Sequence, residues 1–201
     1  NDGKGSGSGH TRVYEYSNSQ KDWVQVGQDI DGESSNDFSG ISVSMSRNGT
    51  RLAIGAYQND DGGASSGHTR IFEYNQTNKT WTQMGTDIDG EAATDWSGLA
   101  VALDAKGMRV VIGAYQNDGS FSSAGHTRIF QYDENNKDWF QIGEDIDGSA
   151  AGDRSGWSVA ISDNGKLVVI GAIFNDRRGS ASGQVRAFQY NPITKKWQQV
   201  G

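Results

Sequence analysis

Short apolar runs recur along this chain at a fixed spacing of 58 residues. In Leu99-Ala100-Val101-Ala102-Leu103, the large residues Leu99, Val101 and Leu103 fall on one face and Ala100 and Ala102 on the other. The same alternation appears in Ile41, Val43 and Met45 against Ser42 and Ser44, and in Trp157, Val159 and Ile161 against Ser158 and Ala160. Large against small at period two predicts a strand whose second face meets something close. A turn follows at Asn48-Gly49, Lys106-Gly107 or Asn164-Gly165. Asn-Gly tolerates positive φ at both centres of a tight turn and signals a hairpin.

The next run is apolar on both faces: Leu52-Ala53-Ile54-Gly55-Ala56, Val110-Val111-Ile112-Gly113-Ala114 and Leu167-Val168-Val169-Ile170-Gly171-Ala172. Such a strand is covered on both sides, and its glycine lets another backbone approach. A Gly/Ser/Asp loop leads to Gly67-His68-Thr69-Arg70-Ile71-Phe72-Glu73-Tyr74, which has copies starting at Gly9, Gly125 and Gly183. The last run starts at Trp23, Trp81, Trp139 and Trp197 and is more polar, as suits an outer edge strand. Asp-Ile-Asp-Gly then begins each connection.

Four antiparallel strands per unit, the inner two apolar on both faces, predict an all-β fold. The expected architecture is a β-propeller of four-stranded blades repeating every 58 residues. A β-solenoid would need no three reversing turns per repeat. The expected units are a half blade at 1–36, which supplies only the last two strands, and blades at 37–94, 95–152 and 153–201. They form one repeat array of about 3.5 blades. A closed propeller takes about four blades or more, so the expectation is a segment of a longer array, or closure against another chain. Seven such blades would take 406 residues and two copies of this chain hold 402, although two half blades of one type do not complete each other in the usual way.

Composition narrows the partners. The net charge of -7 and the lack of a basic stripe argue against nucleic acid. No stretch is apolar over the roughly 18 residues that a membrane-spanning helix needs. Zero Cys excludes disulfides and thiolate metal sites.

Ser-Gly before the first run (39–40, 97–98, 155–156), Gly55-Ala56-Tyr57, Gly113-Ala114-Tyr115 and Gly171-Ala172-Ile173 after the second, and the Gly-x-x-Arg-x-aromatic opening of the third resemble FG-GAP repeats. Those repeats build the β-propeller of integrin α-subunits. The resemblance covers the whole chain and implies that fold. Many such blades carry an Asp-x-Asp-x-Asp-Gly calcium loop between the first two strands. Here Ser46-Arg47-Asn48-Gly49, Asp104-Ala105-Lys106-Gly107 and Ser162-Asp163-Asn164-Gly165 stand there, too short and too poor in carboxylates, so that site does not carry over.

The metal candidates are instead Asp29, Asp31 and Asp37, then Asp87, Asp89 and Asp95, then Asp145, Asp147 and Asp153. Alternate aspartates before a glycine can wrap calcium, or simply cap backbone N–H groups in a turn; the loop Asn59-Asp60-Asp61-Gly62 is a weaker version of the same idea. His10, His68 and His126 recur where the fourth copy has Gln184, which favours a structural hydrogen bond over a catalytic base. Arg12, Arg70, Arg128 and Arg186 read as glue between blades, and the four Trp as anchors of the outer strand or as sugar-stacking platforms. Asn48, Asn75 and Asn78 head glycosylation sequons on exposed turns and fit a secreted eukaryotic protein.

No nucleophile elbow, HExxH or P-loop is present. The resulting expectation is a non-enzymatic extracellular or cell-surface module for structure, adhesion or assembly, binding other protein chains or further repeats of its own chain. The alternative is a lectin-like module that binds glycans or calcium at equivalent sites on each blade. An enzyme with its catalytic residues outside this segment ranks third.

Overall fold

A computed structural model describes residues 3–201. The described residues are all β, with no helix. The first unit contributes β1 (His10–Thr11), β2 (Tyr14–Ser17), β3 (Asp22–Gln25) and β4 (Ile30–Asp31). The second contributes β5 (Ser42–Met45), β6 (Arg51–Ala56), β7 (His68–Asn75), β8 (Thr80–Gln83) and β9 (Ile88–Asp89). The third holds β10 (Ala100–Leu103), β11 (Arg109–Ala114), β12 (His126–Asp133), β13 (Asp138–Gln141) and β14 (Ile146–Asp147). The last holds β15 (Ser155–Ile161), β16 (Leu167–Ala172), β17 (Gln184–Asn191) and β18 (Lys196–Val200).

Every ladder between these strands is antiparallel. The orders are β5-β6-β7-β8, β10-β11-β12-β13 and β15-β16-β17-β18, with β2 on β3 as the partial unit. The third strand is long enough to serve two partners. Phe72 to Asn75 pair with β8, while His68 and Thr69 pair with Asp89 and Ile88 of β9. β14 uses His126 and Thr127 of β12 in the same way. This brings the connection leaving each sheet back beside the histidine that opens its third strand.

The core lies between successive sheets, and the period of two along each strand divides it. Leu52, Ile54 and Phe72 face back, packing with Ile30 and Val13 of the first unit. Ala53 and Ile71, one residue out of phase, face forward onto Val101, Leu103, Val110, Ile112 and Phe130. Val111 and Ile129 repeat this against Val168, Ile170 and Phe188. Each fully buried aliphatic side chain contributes roughly 1.5–3 kcal/mol relative to exposure.

Small residues on the other face let the sheets meet closely. A Cβ on Gly55 would lie 1.9 Å from the carbonyl oxygen of Gly98, and one on Gly113 2.0 Å from that of Gly156. Ser42 Oγ donates to the Gly98 carbonyl at 2.7 Å, and Leu103 N–H donates to Ser44 Oγ at 2.9 Å. Three arginines, Arg70 and Arg128 buried and Arg186 half-buried, tie unit to unit. Arg70, Arg128 and Arg186 each donate from Nη2 to the carbonyl 39 residues earlier, on Asp31, Asp89 and Asp147, at 2.7, 2.5 and 2.6 Å. Each guanidinium also lies over the Phe two residues on, at 5.3–5.5 Å from the ring centroid.

Candidate functional site

The residues that come together with chemical potential are Glu33, Asp61, His68 and Asp87, whose donor atoms all lie within 4.8 Å of one another. Four pieces of chain supply them. Glu33 sits in the connection entering the second unit, Asp61 in the loop after β6, His68 at the start of β7, and Asp87 just before β9. The pairing of β9 with the start of β7 sets Asp87 beside the imidazole.

His68 Nδ1 is 3.6 Å from Asp87 Oδ2 and 3.8 Å from Glu33 Oε2. Both separations exceed a hydrogen bond of about 2.7–3.2 Å. Neither ring nitrogen has a hydrogen-bond partner among the described residues, although the side chain is fully buried. Gln83 Nε2 donates to Asp87 Oδ1 at 2.5 Å, which leaves Oδ2 toward the ring. Arg70 Nη1 reaches Glu33 Oε1 at 3.3 Å. Burial pushes the His68 imidazole below the usual histidine range; Asp87 opposes that and Arg70 adds to it. Burial also raises the Glu33 carboxyl, against Arg70 and with the neighbouring Asp87 and Asp61.

A second cluster repeats part of this set: Glu91, His126 and Asp145, with Nδ1 of His126 3.7 Å from each carboxylate. Arg128 takes the place of Arg70, at 3.6 Å from Glu91. The residue 58 beyond Asp61 is Gly119, so the third carboxylate is missing. In the last unit the matching positions are Ser149, Arg177 and Gln184. In the first, Asp29 is bound on both oxygens by Arg12, which with Gln25 holds its carboxyl down to about 2.

The nine aspartates proposed for calcium do not gather by triplet. Asp29, Asp87 and Asp145 turn to the arginine or histidine of their own unit. Asp31, Asp89 and Asp147 lend backbone carbonyls to Arg70, Arg128 and Arg186. Asp37, Asp95 and Asp153 are buried and accept from Asn59, Asn117 and Asn175 at 3.3, 2.9 and 2.9 Å, and from loop N–H groups. The sequon residues Asn48, Asn75 and Asn78 are exposed. The donor set around His68 fits a metal ion: an imidazole without a partner, and three carboxylates against one guanidinium.

One further feature escaped the sequence reading. Phe38, Tyr57, Trp96, Tyr115 and Trp157 form a continuous row crossing three units, ring to ring at 4.5–5.7 Å. Phe38 and Trp96 hold it with φ of 53° and 57°, a region that bulky residues seldom adopt.

The FG-GAP repeat model matches residues 29–72 and 146–188. These two stretches are FG-GAP repeats. No curated protein matches it in sequence. Among solved structures, the chain is similar to a provisionally assigned 6-phosphogluconolactonase of Bacteroides uniformis (TM-score 0.62, 12% identity, 96% of this chain and 48% of that one). It is similar to another from Bacteroides fragilis (0.61, 12%, 95% and 47%). A third is the periplasmic gluconolactonase of Pseudomonas aeruginosa (0.57, 12%, 93% and 48%). The chain spans about half the length of each. At this identity the likeness is one of fold.

These structures correct the expectation of a non-enzymatic structural, adhesion or assembly module. An architecture matched over nearly the whole chain carries proteins named as lactonases. The expectation rested on the absence of serine-elbow, HExxH and P-loop motifs. Such motifs are contiguous in sequence, whereas the cluster here is assembled from four separate segments. No helix of the described residues is long and apolar enough to cross a membrane.

Proposed function

We propose that the chain forms about half of a β-propeller whose activity is the hydrolysis of a carbohydrate lactone. The strongest support is the likeness over 93–96% of the chain to three structures named as lactonases. Successive four-stranded sheets, whose apolar clusters lie between neighbours in sequence, suit blades around an axis. In this reading 37–94, 95–152 and 153–201 are blades and 1–36 is part of another. Further repeats of the same protein or a second chain complete the ring. A location outside the cytosol accords with the periplasmic neighbour and with exposed sequons.

Opening a lactone adds water to the ester carbonyl, breaks the ring C–O bond and returns a proton to the departing oxygen. The His68 cluster is the centre we assign to it. A divalent cation held by Glu33, Asp61, His68 and Asp87 would supply Lewis-acid activation of water there. Of the aspartates in and after the second Asp-Ile-Asp-Gly turn only Asp87 joins this site; Asp89 lends its carbonyl to Arg128 and Asp95 accepts from Asn117. The chain's own groups prepare the site. Arg70 holds Glu33, Gln83 holds Asp87, and the depressed basicity of His68 keeps its ring neutral and able to ligate near pH 7. The surplus of negative charge favours an uncharged lactone over a phosphorylated one.

The test is the rate of acid release from a neutral sugar δ-lactone and from its 6-phosphate, using this chain and a longer one carrying its flanking repeats. Hydrolysis above the spontaneous rate, greater for the neutral lactone and abolished by Glu33→Gln with folding intact, is the expected result. A folded chain in the completed ring without hydrolysis would overturn the reading.

A further inference from the structure

We propose that the Glu33–Asp61–His68–Asp87 cluster is a high-affinity site for one first-row divalent cation of the zinc type, and that Asp61 confines it to a single copy of the repeat. The proposal rests on the cluster geometry, whichever reaction the propeller performs. Two independent observations carry it. Four potential ligand atoms converge within 4.8 Å. A fully buried imidazole faces them with neither nitrogen hydrogen-bonded among the described residues, a state that is costly unless something absent from the protein itself meets it.

The distances fit a shared ion better than a hydrogen-bonded trio. Zinc bonds to nitrogen and oxygen at about 2.0–2.2 Å, so the edges of its tetrahedron are about 3.3–3.6 Å. The contacts of Nδ1 to the Asp87 and Glu33 carboxylates are 3.6 and 3.8 Å. Charge points the same way: three carboxylates face one guanidinium and leave two negative charges unbalanced. The imidazole selects the class. Calcium and magnesium take hard oxygen shells, calcium with six to eight oxygens, whereas imidazole suits zinc and its neighbours.

The repeat supplies its own controls. With the backbone pattern kept, the equivalents of Asp61 are Gly119 and Arg177, and the equivalents of His68 include Gln184. The Glu91–His126–Asp145 cluster therefore keeps three ligands and lacks the fourth. Ser149, Arg177 and Gln184 offer no carboxylate and one positive charge.

The experiment is zinc titration by calorimetry, with metal content measured after dialysis in excess calcium, on the intact chain and two variants. The intact chain should bind one zinc tightly and a second at least tenfold more weakly. Asp61→Gly, at an exposed loop position, should weaken the first site to the level of the second. Gly119→Asp should create a second tight site; its new Cβ would lie 2.8 Å from Asn117 Oδ1, the end of a side chain, and 3.8 Å from Asp147 Oδ1. Failure to retain zinc, retention unaffected by Asp61→Gly, or no gain from Gly119→Asp would each overturn the proposal. Zinc binding without lactone hydrolysis would leave this site standing and remove only the enzymatic reading.

Discussion

Trp81 Nε1 donates to the backbone carbonyl of Val26, 55 residues earlier, at 2.8 Å. Trp139 does the same to Met84 at 2.7 Å, and Trp197 to Ile142 at 2.8 Å. Each indole thus reaches back from the outer strand of one sheet to the end of the outer strand before it. Removing the N–H leaves a carbonyl without its donor, which costs about 1–3 kcal/mol where water cannot replace it. Trp139→Phe should lower stability in urea unfolding by that amount. Trp23 makes no such bond and is 64% exposed, against 4% for Trp81, so Trp23→Phe should change stability by no more than about 0.5 kcal/mol. Equal losses at both positions would show that the indole pins nothing.

Close approach of backbones gives a second contrast. Alanine at Gly113 would place Cβ 2.0 Å from the Gly156 carbonyl oxygen, which belongs to the next sheet and cannot swing aside. Overpacking of this kind costs about 1–3 kcal/mol or more. At Gly171, the matching position of the last unit, the near atom is Ser158 Oγ at 2.4 Å, the end of a side chain that can rotate. Gly113→Ala should therefore depress the melting temperature several degrees more than Gly171→Ala, measured in parallel thermal scans.

The layout of strands was legible because every unit obeys the same packing demand. Leu99, Val101 and Leu103 alternate with alanines since one face meets a core and the other a backbone, and Gly113 marks that contact in the sequence. The arginines also read correctly as glue. Their partner is a carbonyl, which leaves no trace in side-chain identity. The His68 cluster was not legible from spacing. Grouping Asp87 with Asp89 and Asp95 follows the chain, but β9 folds back on β7 and moves Asp87 to His68, while Asp95 turns to Asn117. Comparison of copies would have exposed it: Asp61, Gly119 and Arg177 occupy one position, and only the first suits a cation. Arg12, free of a preceding sheet's carbonyl, pairs with Asp29 instead.

The buried histidines set the response to acid. Burial depresses the basicity of both His68 and His126 in the folded chain. The unfolded chain takes up those protons near the ordinary histidine value of about 6.5. Below that pH the unfolded state binds more protons than the native one, so stability falls as pH drops through about 6.5 and levels off above it. Unfolding midpoints between pH 5 and 8, measured in chelator, should show this slope. His126→Gln takes the residue that the last unit already uses at this position and should flatten part of it. A slope unchanged by that substitution would assign the effect to other groups.

The two faces of one repeated position differ in what covers them. Val101 and Leu103 are 9% and 8% exposed beneath the preceding sheet, whereas Val43 and Met45, one unit earlier, are 52% and 44% exposed. The partial first unit places no inner strand over them among the described residues. Val101→Ser removes buried apolar area and puts a hydroxyl in its place, and should cost about 2 kcal/mol or more. Val43→Ser in this chain alone should cost no more than about 0.5 kcal/mol. In a protein where further repeats or a second copy cover that strand, Val43→Ser should approach the cost of Val101→Ser. Urea unfolding of the two variants, with and without flanking repeats, reads the difference. A large cost at Val43 in the 201-residue chain, at a concentration where sedimentation shows a monomer, would mean that the strand is already covered from within.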